Sequence, residues 1–154
     1  MNKKCIRDRP LTQEQIDKRT KTAFKRKIRN IFTGMGFTYV PTNDHEMVIG
    51  LRKVEIDALF IFENIWLLCE DTIKSVNIKE HIRTKNEAFG EIKKNLSSFR
   101  DKLVELFPDK ADLLNRYDTG RIKVYGLYVS REEVSLSEDE NKLFSSLIFI
   151  QPKT

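Results

Sequence analysis

Apolar residues recur along this chain in two rhythms, and where the rhythm changes the chain divides into strands and helices. Two runs rich in β-branched and aromatic residues, 55–62 and 65–71, flank the pair Glu63-Asn64. A two-residue link between such runs predicts a tight hairpin. With Glu63 and Asn64 as the loop, Phe62 faces Ile65, Asp57 falls opposite Glu70, and Glu55 falls opposite Thr72. Leu59, Ile61, Trp66 and Leu68 then continue the face of the two acids, while Ile56, Ala58, Phe60, Phe62, Ile65, Leu67 and Cys69 make the other. A hairpin apolar on both sides belongs inside a layered domain with helices above and below it.

The flanking segments extend this plan. Thr12-Gln13-Glu14-Gln15 has the form of a capping box, and Ile16, Thr20, Ala23, Phe24, Ile28, Ile31, Phe32 and Met35 follow at helical spacing, which predicts a helix over 13–34. Short strands are expected at 37–40 and 46–51, joined by the turn 41–44, with a tight connection at Arg52-Lys53 into the hairpin. Beyond the hairpin, Ile78, Ile82, Lys85, Phe89, Ile92, Leu96, Phe99, Leu103 and Leu106 are spaced by three and four. They predict one helix of about thirty residues, roughly 45 Å long. A short helix at 110–117, a buried strand at 121–130, a capped helix opening at Ser137 and a last strand at 147–151 complete the reading. Strand, helix and strand in succession form a crossover, expected to be right-handed and to leave its two strands parallel. The fold class is therefore α/β, a mixed central sheet flanked by helices, with residues 12–154 as one domain behind a basic segment 1–11. Phe89, Phe99, Phe107 and Tyr125 are assigned to the core, and Trp66 to packing under a helix. An apolar strand so near Thr154 suggests the N-terminal part of a longer protein, with a further C-terminal domain, or a homodimer.

Composition adds constraints. The chain has 154 residues, 40% hydrophobic and 33% charged, enough for one real core. No apolar run approaches the roughly 18 residues of a membrane span, and the first thirty residues hold no signal-peptide core. A cytoplasmic protein without a membrane partner is expected. Cys5 and Cys69 form neither a metal-ligand cluster nor a disulfide framework. Charge is unevenly spread: residues 1–29 hold 11 Lys or Arg against Asp8, Glu14 and Asp17, a net of +8, while the remainder sums to −3. That asymmetry suits an anionic partner, with nucleic acid the commonest, and otherwise describes a solvated helix face. Lys18, Lys21, Lys25 and Arg29 fall at three- and four-residue steps beside the apolar stripe and form the ridge expected to track phosphates.

Candidate chemistry is concentrated in the hairpin. Directly opposed residues have Cβ atoms roughly 4.5–5.5 Å apart, so Asp57 and Glu70 would lie side by side on one face, and such a pair repels unless a cation lies between. The plain alternative is a wet strand end at which each acid pairs with a nearby Lys or Arg. Two adjacent carboxylates are what Mg²⁺ or Mn²⁺ takes from a protein while keeping waters and gripping a substrate phosphate. His45 in a turn and His81 on the exposed side of the long helix suggest no zinc site, and Gly-rich phosphate loops and the G-x-S-x-G elbow are missing.

Helix, antiparallel strands, long helix and strand, with an acid on each arm of the central hairpin, is a layout that resembles the PD-(D/E)XK, or restriction-endonuclease-like, superfamily over roughly residues 12–130. The resemblance implies an α-β-β-β-α-β core, Asp57 and Glu70 as metal ligands, and the backbone carbonyl of Asp71 as a further ligand. It also implies a Lys two residues after Glu70. That position holds Thr72, so Lys74 or Lys79 is expected to supply the charge, and Glu14 and Glu55 are further acids of interest. The GFTYVPT and ID…FENI…LCEDT segments are similar to the N-terminal region of bacterial DGQHR-domain proteins, linked to DNA modification and defence. The expected function is a metal-dependent nuclease, or nuclease-like domain, acting on DNA. Its alternative is a catalytically silent module of the same fold that binds nucleic acid or partner proteins, and a third reading is a protein-interaction domain with no nucleic-acid role.

Overall fold

The computed structural model describes residues 9–73, 77–144 and 147–151. Helix α1 (Gln13–Gly34) begins where the sequence places it: the Thr12 side chain accepts from the Gln15 N–H, and the Gln15 side chain accepts from the Thr12 N–H. This reciprocal box satisfies two of the orphan donors that every helix start carries. Strands β1 (Thr38–Val40), β4 (Ala58–Phe62), β5 (Ile65–Thr72), β6 (Lys123–Ser130) and β7 (Leu147–Ile150) form a five-stranded mixed sheet in the order β1-β4-β5-β6-β7. Strands β2 (Met47–Ile49) and β3 (Arg52–Val54) form a separate two-stranded sheet. Helices α2 (Ile78–Lys94) and α3 (Leu96–Leu106) lie on the face opposite α1, with short helices α4 (Ala111–Leu114) and α5 (Glu138–Leu143) after them.

The hairpin has the register the sequence dictates: Phe62 pairs with Ile65 and Ala58 with Cys69. Glu63 enters the left-handed region at φ 51°, as the first position of so tight a turn demands. Strands β5 and β6 run parallel, joined by the α2–α3 crossover, and β7 is parallel to β6.

Three local expectations are corrected. Arg52-Lys53 is not a connection but part of β3; the chain reverses at Gly50-Leu51, where Gly50 takes φ +63° and a Cβ would lie 2.5 Å from Glu91 Oε1. The single long helix is two, because Asn95 leaves helical geometry at φ −121°, ψ 42° and its side chain donates to the Glu91 carbonyl. Asn competes in this way with the helix's own hydrogen bonds, and the three-four spacing of apolar residues runs on across the break and hides it. Tyr125 is exposed, not core, since the outer half of β6 is only partly covered.

The two faces of the sheet pack differently. On the α2–α3 side Trp66, Phe89, Phe99, Tyr128, Leu59, Ile61 and Leu68 share one large cluster, with Trp66 edge-on to Phe99 at 6.3 Å. On the other side Phe60, Leu67, Cys69, Leu127 and Val129 meet only Ile28 and Phe32 as buried residues of α1. Ile16, Ile31 and Met35, assigned to the buried stripe of α1, are exposed. No helix among the described residues is long and apolar enough to cross a membrane.

Candidate functional site

The acids gather where β4 begins and β5 ends. Asp57 stands one residue before β4, and its N–H still donates to the Cys69 carbonyl, so the backbone register carries Asp57 to its expected place beside Glu70. The side chains do not share a face as expected. Asp57 Oδ2 accepts from the Asp71 N–H at 3.0 Å, and Oδ1 lies 3.2 Å from Lys25 Nζ on α1. Glu70 turns to the opposite layer, with Oε1 3.3 Å from His81 Nε2 and Oε2 3.3 Å from Lys85 Nζ, both on α2. The pleat's alternation governs residues inside the ladder; Asp57 lies just outside it and its carboxylate is free to swing. Both acids nevertheless border one pocket of about 210 Å³ with Lys21, Asp71, Thr72 and His81.

Asp71 supplies a side chain where a carbonyl was expected. Its carboxylate is buried on the α1 side, with Oδ1 2.9 Å from Lys25 Nζ, so that two aspartate oxygens converge on one ammonium. Burial and the neighbouring Asp57 push the Asp71 carboxyl above its ordinary value, against the pull of Lys25. Burial works against the Lys25 charge too, but the two aspartates outweigh it and hold the ammonium above the usual lysine value. Burial likewise raises Glu70, opposed by the His81 hydrogen bond and Lys85. Glu70 Oε2 and Asp71 Oδ1 have charged neighbours but no aligned hydrogen bond.

Behind Glu70 runs a polar chain. The other nitrogen of His81, Nδ1, is hydrogen-bonded to the Tyr128 hydroxyl at 2.5 Å. Tyr128 is fully buried; burial and the Glu70 charge push its phenol well above the ordinary range, and Thr72 reaches it with a hydrogen bond. Lys85 is fixed from a second side by donating to the Glu55 carbonyl at 2.9 Å. His81 is thus not the surface residue the sequence suggested.

The other expected residues are placed as follows. Lys79 pairs with Glu140 at 2.9 Å and is not the lysine beside Glu70, because it leaves α2 on a different side from His81 and Lys85, the residues that meet that acid. Lys74 lies outside the described residues. Lys25 belongs to the acid pair rather than to an open phosphate-tracking ridge; Lys18, Lys21 and Arg29 remain exposed on α1, Arg29 with its guanidinium 5.5 Å from the centre of the Tyr39 ring. Glu14 and Glu55 are exposed. Lys85 was missed as a site residue although its signal was present: a lysine at a buried position of an apolar helical stripe needs an acid to meet it.

Carboxylate oxygens are the donors that a hard cation takes. The Lys25 ammonium already shows that Asp57 and Asp71 can close on one positive centre, and the unaligned oxygens of Glu70 and Asp71 have lone pairs to give. Among the described residues no group of three His, Cys, Asp or Glu is arranged around one point, so a cation would draw on two carboxylates and keep waters, as Mg²⁺ does. No family model matches the chain, and neither does any curated protein or solved structure.

Proposed function

We propose that this domain is a metal-dependent nuclease acting on DNA, with two carboxylates drawn from Asp57, Glu70 and Asp71 holding Mg²⁺ or Mn²⁺ and Lys85 in the place of the missing motif lysine. The observation that carries the reading is Lys85: its ammonium lies 3.3 Å from Glu70, brought by α2 to the acid whose strand has Thr72 at the usual lysine position. The sheet order, with β1, β4 and β5 antiparallel and β6 returning parallel after a helical crossover, supports the α-β-β-β-α-β core that the resemblance implies.

A bound divalent ion supplies polarisation of the phosphodiester and a lowered pKa for the attacking water. The chain's own groups do the rest. Lys85 offers fixed positive charge where negative charge develops, a contribution of the kind whose removal costs on the order of 10²–10³ in rate. His81, pinned by Tyr128, fixes the rotamer of Glu70. The exposed cations Lys18, Lys21 and Arg29 of α1 attract and align the polyanion.

Incubating the protein with plasmid and with single-stranded DNA in Mg²⁺ or Mn²⁺, beside Asp57→Ala and Glu70→Ala, tests this. Cutting by the wild type alone is expected; equal traces in all three proteins would eliminate the enzyme.

A second reading is favoured by Lys25. An ammonium already seated between Asp57 and Asp71 makes these acids an internally neutralised pair, as in a silent module of nuclease fold that binds nucleic acid. The same assay separates the two, because that module binds DNA and cuts none.

A further inference from the structure

On the α1 side of the sheet a cavity of about 360 Å³ opens beside the acid pair, lined by Lys25, Arg26 and Arg29 of α1 and by Tyr39, Asn43 and Asp57, among others. Its charges are unevenly answered. Lys25 is taken up by Asp57 and Asp71, whereas Arg26 and Arg29 have no carboxylate partner among the described residues. The two arginines are three residues apart, so their guanidinium groups leave the same side of the helix as neighbours. Like charges placed so repel, and an anion bound between them relieves both.

Several anions could answer two arginines, and the rest of the lining chooses among them. Guanidinium forks match phosphate oxygens in pairs. Free di- or triphosphates carry several charges into a space bordered by two aspartates, which repel them. A phosphodiester carries one charge, and its neighbours along a strand find Lys18 and Lys21 on the same helix. Beside the arginines stand a flat ring and an amide: Tyr39, backed by Phe60 at 5.7 Å and carrying the Arg29 guanidinium 5.5 Å from its centre, so that the outer face of the guanidinium is the platform, with the Tyr39 hydroxyl 3.5 Å from Asn43 Oδ1. Guanidinium planes and tyrosines stack on unpaired bases, and an Asn amide reads a base edge that pairing would hide. A space of this size admits one nucleotide and excludes a duplex.

We propose that this cavity seats one nucleotide of a single strand, its phosphodiester on Arg26 and Arg29 and its base against Arg29, Tyr39 and Asn43. The inference rests on the nucleic-acid reading above and adds to it a defined binding position next to the acids.

The test is fluorescence anisotropy in EDTA, so that no cutting occurs, using a short labelled DNA strand and the same strand annealed to its complement. Arg26→Gln and Arg29→Gln are compared with Lys27→Gln, which removes the same charge from the part of α1 bordering a different groove, beside Ile31 and Ile150. Each arginine variant is expected to weaken single-strand binding roughly tenfold and to lower the slope of log affinity against log salt by about one. Lys27→Gln is expected to change affinity by no more than about twofold, the small effect of a charge that touches no phosphate. Asn43→Ala weakens binding with the salt slope unchanged, the mark of a base contact. Arginine variants indistinguishable from Lys27→Gln, or tighter binding of duplex than of single strand, would overturn the seat while leaving the nucleic-acid reading in place. A wild type that binds neither form would overturn that reading, and the seat with it.

Discussion

On one side of the sheet Trp66, Phe89, Phe99 and Tyr128 are at most 1% exposed under α2 and α3; on the other, α1 buries only Ile28 and Phe32 and leaves Ile31 and Met35 more than half exposed. The acids divide along the same line. Glu70 is held from the closed side by His81 and Lys85, and Asp57 and Asp71 from the open side by Lys25. Rigid packing thus fixes one half of the site, and a sparse, cation-rich layer with an open cavity forms the other. Close-packed interiors place catalytic groups accurately, and loosely covered faces give a polymer somewhere to lie.

The largest effect should come from the closed side. Phe99→Ala removes a fully buried ring beneath Trp66 and should cost about 3–5 kcal/mol in urea unfolding. Phe32→Ala, on the open side, should fall at the low end of that range, about 3 kcal/mol, because its surroundings can relax into solvent. Equal losses would dissolve the contrast between the faces. Next comes the lysine. Lys85→Met should reduce cutting by on the order of 10²–10³, and Lys79→Met, which breaks only the exposed pair with Glu140, should leave it unchanged. A Lys79 effect as large as that of Lys85 would return the role to one of the two lysines, Lys74 and Lys79, that the sequence offers.

Much of this was legible in the chain because it is local. The Thr12 box, the 63–64 turn and the pairing of Phe62 with Ile65 follow from adjacent residues and a period of two. What was illegible depended on tertiary packing or on a few degrees of backbone. Asn95 interrupts a helix whose apolar spacing does not change. Asp57 lies one residue beyond the ladder, where alternation no longer predicts direction. His81 is polar and reads in the sequence as a surface residue, yet Tyr128, 47 residues away, reaches it. Lys85 could have been found, since a charged residue in a buried stripe is a conflict that only a partner resolves.

The smallest effect is also the sharpest probe of the two halves. Glu70 and Asp71 are both held above their ordinary values of 4.5 and 3.8, chiefly by burial. A carboxyl with a raised folded-state pKa binds its proton more tightly in the native protein, so each contributes destabilisation that is absent below its ordinary value, grows as pH rises and is complete above the raised value. Glu140 runs the other way: the Ser137 backbone and then Lys79 lower it to about 2, so its contribution is present above 4.5 and lost as pH falls. Subtracting the stability of Glu70→Gln from that of wild type, both metal-free, isolates one group. The difference should slope downward with rising pH through the window that opens at 4.5, by no more than about 1.4 kcal/mol per pH unit for one proton. Asp71→Asn should give the same sign from a window opening at 3.8. A Glu70 difference that rises with pH would mean that Lys85 and His81 outweigh burial, so that the closed half of the site is a neutralised ion cluster rather than an acid whose burial outweighs its partners. An upward slope for Asp71 alone would put that neutralisation on the open half, with Lys25.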